Sequence, residues 1–437
     1  MDSVNEETPF VVPNSSSAKS PKGHARDVHI LSAAFLLVFL AYGAVQNLES
    51  TLNSEDDLGT TSLGILYVSF TVCSMFSSPV VRSLGSKRAL VIGTTGYWLF
   101  IAANLKPKWY TMFPASVYLG FTASMIWVGQ GTYLTSTARS HAKDCNLHEG
   151  TIIGNFNGEF WGIYASNSVV GNLVSLFLLG ESTEGATTGT TLLFIVFLCI
   201  MTLGTILMCF LHKRDGSEGR EEGSSGFVSS LTSVSKAIVA PLSDARLLLI
   251  IPLFGYSGLQ QAFVWAEFTK EIVKPALGES GVAGIMVVYG AFDAVCSLVA
   301  GRITSNLSSV TLIVAGGSFA QAAILIWILV KYSATSGVLG MIYPALMAAA
   351  LGIGDGVFNT QIYAMIGMLF ENDMEGAFAQ LKLWQSGCTA VVFFLTPYIS
   401  LHAMITVMIS ALCVAVLSFL YLTLRVERVF SRSVSTS

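Results

Sequence analysis

The hydrocarbon core of a bilayer is about 30 Å thick and takes roughly 20 apolar residues per helix. Twelve stretches of this chain meet that requirement, at about 28–48, 60–81, 89–105, 110–136, 151–179, 190–211, 247–268, 281–301, 309–331, 337–369, 376–400 and 402–424. Composition points the same way. Of 437 residues 53% are hydrophobic and 11% charged, with mean hydropathy +0.65, too few charges to solvate a globular surface. The expected fold class is an all-α membrane protein of twelve transmembrane helices. The tenth stretch exceeds one span and contains Pro344, where a kink or a protruding end is expected.

The longest polar break, 212–246, separates six helices from six and contains "KRDGSEGREEGSSG", a charged Gly/Ser-rich linker without a core of its own. The expected organisation is a disordered tail at 1–27, a six-helix bundle at 28–211, the linker, a second bundle at 247–424 and a short tail at 425–437. A 6+6 pattern of this kind is that of major-facilitator-type proteins, whose halves are pseudo-two-fold repeats. "EGTIIGNFNGEFWG" opens the fifth helix and "EGAFAQLKLWQS" the eleventh, with Glu159-Phe-Trp161 answering Lys382-Leu-Trp384.

Lys and Arg in short loops set orientation. With the N-terminus in the cytosol, seventeen of the 23 fall on the inner side, five on the outer, and Lys382 lies within a helix. Both termini and the linker are therefore expected in the cytosol, as are the sequons at Asn14 and Asn306, which should carry no glycan. The charges do not resolve plasma membrane from endomembrane. Six of the seven cysteines lie in apolar segments and Cys145 in a loop, so no disulfide framework is expected. Net charge is −4 with no basic run to recruit nucleic acid. Phosphate loops, metal-spaced His/Cys clusters and Ser/His/Asp arrangements are absent, and five of the six histidines read as tail or loop residues. No cofactor, metal or enzymatic activity is expected.

Four ionisable residues are read inside the apolar spans: Glu159, Asp293, Asp355 and Lys382. All avoid the third, sixth, ninth and twelfth helices, which face lipid in the facilitator arrangement. Intramembrane charges normally face a bundle interior. Helical spacing groups each with other polar or small residues: Asn155, Glu159, Gly162 and Ser166; Gly290, Asp293 and Ser297; Gly352, Asp355 and Asn359; Lys382, Gln385, Ser386 and Thr389. Depth makes Asp355–Lys382 the preferred pair, with Glu159–Lys382 as the second choice. Two readings fit these residues, a solute or proton pathway and an interior network that fixes helix register. Trp127, Trp161, Trp265, Trp327 and Trp384 are expected to pack or anchor rather than cage a ligand, and "LGIGDGVFN" (351–359) to pack helices closely.

The stretches "QNLESTLNSEDDLGTTSLGILY" (46–67), "LGSKRAL" (84–90), "GYWLFIAANLKPKWYTMFPASVYLG" (96–120), "GQGTYLT" (129–135), "SVVGNL" (168–173) and "GDGVFNTQIYAMIG" (354–367) resemble the uncoordinated-93-like (Unc-93-like) family. This is the ion-channel regulatory branch of the major facilitator superfamily. The resemblance implies an accessory subunit of a potassium channel, contributing to potassium homeostasis, or an escort of membrane receptors, with the bilayer and another membrane protein as partners. The acidic "ESTLNSEDD" (49–57) or outer helix faces would make the contact. A secondary transporter of a small solute, proton-coupled, is the competing expectation. Transporters of this superfamily carry a gating Asp after the second helix, where this chain has Arg82. The matching position of the second half is Ser305, so neither gate has its acid.

Overall fold

The computed structural model describes residues 21–52, 58–180, 186–213, 240–331, 338–396 and 398–426. Every regular element among them is helical. The long helices are α1 (Pro21–Leu52), α2 (Leu58–Leu84), α3 (Ser86–Ala103), α4 (Trp109–Cys145), α5 (Glu149–Gly180), α6 (Ala186–Cys209), α7 (Ala245–Ala262), α8 (Lys274–Ile303), α9 (Leu307–Lys331), α10 (Val338–Leu369), α11 (Met374–Leu395) and α12 (Leu401–Tyr421). A π-helical stretch, Phe263–Val273, extends α7, and the chain turns at Gly278, whose φ of 72° suits a residue without Cβ. The seventh span is thus longer than 247–268. Asp244 caps α7, accepting from the Arg246 amide at 2.8 Å. Burial opposes charge on Asp244, but its bonds from Arg246 prevail and hold the carboxyl below the usual range.

Two expectations about the ends of helices need correction. Residues 21–27 belong to α1, not to the tail, because Asp27 and His24 are buried against other helices; residues 1–20, with Asn14, and most of the linker lie outside the described residues. His24 and His29 stand on α1 and His141 on α4, so the histidines are not confined to tails and loops.

The packing repeats itself. In the first half α1 meets α5 and α6, α2 meets α4, and α3 meets α4 and α6. In the second half α7 meets α11 and α12, α8 meets α10, and α9 meets α10 and α12. Between halves, α2 packs on α11 and α5 on α8, again equivalent pairs. Each contact maps onto its counterpart six helices later, which is the pseudo-two-fold of a facilitator bundle.

Nine spans are long and apolar enough to cross a membrane among the described residues; α3, α5 and α11 fall short of that measure. Lys87 and Arg88 sit in the first turn of α3. On α11 the deficit comes from Lys382, Gln385, Ser386 and Thr389, polar side chains buried within the bundle, which hydropathy counts and burial hides. The perimeter is apolar where expected: Phe319 and Leu312 on α9 are 78% and 76% exposed and Leu417 on α12 is 68% exposed, surfaces that lipid covers.

Candidate functional site

Small residues set the frame. A Cβ on Gly158 of α5 would meet the Gly301 Cα of α8 at 2.6 Å, so these helices cross with their backbones in contact. On α10, a methyl at Gly352 would overlap the Tyr289 carbonyl and one at Gly356 would press on Asp293. The Gly352-x-x-x-Gly356 pair therefore brings α10 onto α8 along an unbroken helix, as the reading of close packing expected. That contact leaves Asp293, Asp355 and Asn359 on the inner side of the crossing.

Between the halves lies a cavity of about 130 Å³. Asp293, Asp355, Asn359, Lys382 and Gln385 all line it, with Ser386 and Thr389 continuing the stripe on α11. Tyr289 donates to one Asp355 oxygen at 2.6 Å, while Asn359 (2.9 Å) and Gln261 (3.4 Å) donate to the other. Asp293 accepts from Ser297 at 3.1 Å. Lys382 donates to Gln385 at 2.6 Å, and its ammonium stands 4.4 Å from the Trp127 ring centroid and 5.3 Å from that of Tyr363. Gln385 in turn donates to Ser257 of α7 at 3.2 Å.

The expected ion pair does not form: no acid lies within 4 Å of Lys382 among the described residues. Asp355 and Lys382 act on each other only across the cavity. The reason is local supply. Hydrogen-bond donors on α7, α8 and α10 reach Asp355 first, and aromatic faces on α4 and α10 occupy the space over Lys382. Ring quadrupoles take the place of a counter-carboxylate.

Two site candidates lie elsewhere. Glu159 does not face the cavity but turns to α1, where it contacts His29; the two side chains are 24% and 63% exposed. Asn155, one turn earlier, is likewise absent from the lining. On α5 the cavity side belongs to Trp161, Tyr164 and Ser168, and the α8 side to Gly158 and Gly162. The stripe at 155 and 159 is left at the edge of the bundle.

The aromatic residues also depart from expectation. Trp127, Trp161 and Trp265 wall the cavity; the first two stack at 5.8 Å with planes 8° apart. Trp327 packs on Tyr343, as a packing residue should, and Trp384 is 40% exposed, so it does not match Trp161. Gln261 and the cavity tyrosines were not singled out from sequence, although the paired Gln260-Gln261 inside an apolar span is a legible signal. Glu267, 1% exposed in the π-helical stretch, is a further buried acid within the seventh span.

On the face carrying the linker, the halves are tied by charge. Arg82 of α2 reaches Asp373 at 2.5 Å and Glu375 at 3.5 Å. Arg139 of α4 donates to the Gly367 carbonyl at 2.8 Å and lies 3.4 Å from Glu371. The acids facing Arg82, which stands where the first gate motif has its Asp, thus come from the start of α11 and the turn before it. Phe378 packs against Gly131 just beneath. Asn306 is on this face too, capping α9 through the Ser309 amide at 3.0 Å. Among the described residues no group of three His, Cys, Asp or Glu is placed to hold a metal ion, and all seven cysteines are free.

Known proteins share both fold and sequence with this chain. A family described as "Ion channel regulatory protein UNC-93" matches residues 52–420. UNC93-like protein 3 of Arabidopsis thaliana is 63% identical over 414 residues, covering 94% of this chain and 89% of that protein. Protein unc-93 homolog A of Homo sapiens is 30% identical over 90% of this chain and 92% of its own length. The putative potassium channel regulatory protein unc-93 of Caenorhabditis elegans is 28% identical over 90% of this chain and 60% of its own. Among solved structures, the E. coli fucose:proton symporter FucP superposes with TM-score 0.67 at 11% identity, covering 91% of this chain and 99% of that one. The human organic anion transporter MFSD10 superposes at 0.66 and 12%, with the same coverage. Likeness at such identity speaks to fold alone, and that fold is the major facilitator bundle. The chain is a multi-pass integral membrane protein and belongs to the ion channel regulatory UNC-93 family.

Proposed function

We propose that this protein acts as a regulator or accessory subunit of a potassium channel, with both termini and the 212–246 linker joining its two halves in the cytosol. The family match across 52–420 carries the regulatory reading. Potassium enters through the printed name of the C. elegans relative, and the orientation through the Lys/Arg bias of the loops. Tandem affinity purification from native membranes in mild detergent tests it. The expected result is a channel recovered in fixed proportion; recovery of the protein alone would defeat the reading. A sequon introduced between α3 and α4 should be glycosylated, and Asn306 should not.

A second reading, a proton-coupled secondary transporter of a small solute, draws on the cavity. A membrane interior that holds Asp293, Asp355 and Lys382 around unfilled space has the composition of a translocation pathway. Arg82 and Arg139, paired to acids of the opposite half, give that pathway a closable face. In liposomes, the purified protein should move solute down an imposed proton gradient, and Asp355→Asn should abolish the movement. Failure of flux across a broad solute panel would remove this reading and leave the first untouched.

A further inference from the structure

The charged groups of the cavity are unequally satisfied. Lys382 has Gln385 and two aromatic faces. Asp355 has three donors. Asp293 is 8% exposed and accepts one bond, from Ser297 to Oδ1; no donor among the described residues reaches its other oxygen. The lining thus holds two acids to one base, and its open valence is a carboxylate oxygen. That oxygen faces the cavity, so its donor must come from what fills the cavity, and a charged donor binds it more strongly than a neutral one.

The walls define what could complete it. Trp161, Tyr164, Trp265 and Tyr289 line the same cavity as Asp293 and present ring surface to an occupant. Tyr289 lies one helical turn from Asp293, and Ser168 of α5 packs on Gly290 between them. A carboxylate beside aromatic faces attracts an ammonium twice, by a charge-assisted hydrogen bond and by cation–π attraction. An anion meets the excess of acids. A metal cation is disfavoured because among the described residues no group of three His, Cys, Asp or Glu is placed to hold one, and the nearest acid is already bonded.

We infer that the cavity is a binding site for a small organic cation, an amine whose ammonium sits on Asp293 and whose apolar body lies among Trp161, Tyr164, Trp265 and Tyr289. The site takes its ligand whether the protein moves that ligand or only senses it. As a substrate class it rests on the transport reading; as a binding site it does not.

Equilibrium dialysis of radiolabelled phenethylamine against the full-length protein in nanodiscs tests the assignment, with 2-phenylethanol and phenylacetate as competitors. Saturable binding is expected, with neither competitor displacing the amine. Asp293→Asn keeps the size and the Ser297 contact of the side chain and should weaken binding roughly tenfold or more. Should that variant not fold, as judged by size exclusion and melting, the ratio of amine to alcohol affinity on the wild-type protein carries the test. No saturable binding of the amine, equal affinity for the alcohol, or undiminished binding by a folded Asp293→Asn protein would each overturn the assignment. Amine binding without flux would count against transport alone. Flux of another solute with no amine binding would count against this site alone.

Discussion

Lys382 shows how a buried charge can be held without an ion pair. Breaking a buried salt bridge costs about 3–5 kcal/mol, because the abandoned partner stays charged in a poor solvent. Here the ammonium leans on Trp127 and Tyr363 and on the Gln385 amide oxygen, none of which carries charge. Lys382→Met leaves an apolar chain on apolar rings and removes a desolvation cost, against a cation–π loss of about 2 kcal/mol. The expected outcome is a net change below ~2 kcal/mol, read as a melting temperature in detergent within a few degrees of wild type. A collapse in folded yield would mean that the lysine neutralises Asp355 after all. From the sequence, four embedded charges could be listed, and three of them do line the cavity. Helical spacing also grouped these three with their same-helix partners Ser297, Asn359 and Gln385; partners from other helices could not be listed, since Tyr289 and Gln261 reach Asp355 only through packing between helices distant in sequence.

At the scale of elements, glycine decides how near two helices come. Gly158 and Gly301 touch backbone to backbone, and no side-chain rotation can make room for a larger residue there. Gly158→Val should therefore separate α5 from α8 and destabilise the protein by about 1–3 kcal/mol or more. Gly316 on α9 makes a useful contrast, because a Cβ there meets nothing within 4 Å. Gly316→Ala should be neutral or slightly stabilising, since alanine favours a helix interior over glycine by about 1 kcal/mol. Thermal unfolding of both variants, followed by tryptophan fluorescence, checks the pair; equal stabilities would remove the role given to this crossing. The Gly352-x-x-x-Gly356 spacing was readable in the sequence as a packing signal. The Gly158–Gly301 contact was not, because it joins residues of opposite halves.

At the scale of the whole molecule, the face carrying the linker is fastened by Arg82 and Arg139 to acids of the α10–α11 turn. Arg82 and Asp373 are each 38% exposed, so their pairing is worth about 1 kcal/mol at most. That is too little to unfold the protein and enough to shift a two-state equilibrium about fivefold. Arg82→Ala should leave melting nearly unchanged while lengthening the spin-label distance between the linker-face ends of α2 and α11. Arg82→Asp combined with Asp373→Arg should restore the short distance; a distance distribution indifferent to all three proteins would dismiss the latch. The gate motifs alone pointed to an absent acid, since motif spacing tracks one loop and cannot see a residue arriving from the other half. Sequence alone determined the number of spans, the division into halves and the identity of the few charges held in the hydrocarbon layer, because water and lipid partition residues by composition and period. Only the tertiary structure decided which helix face each charge shares with its neighbours. It moved Glu159 to the edge beside His29, left Asp293 half-satisfied at the centre and closed one face with a borrowed acid, all of which depend on the rotation and closeness of packed helices.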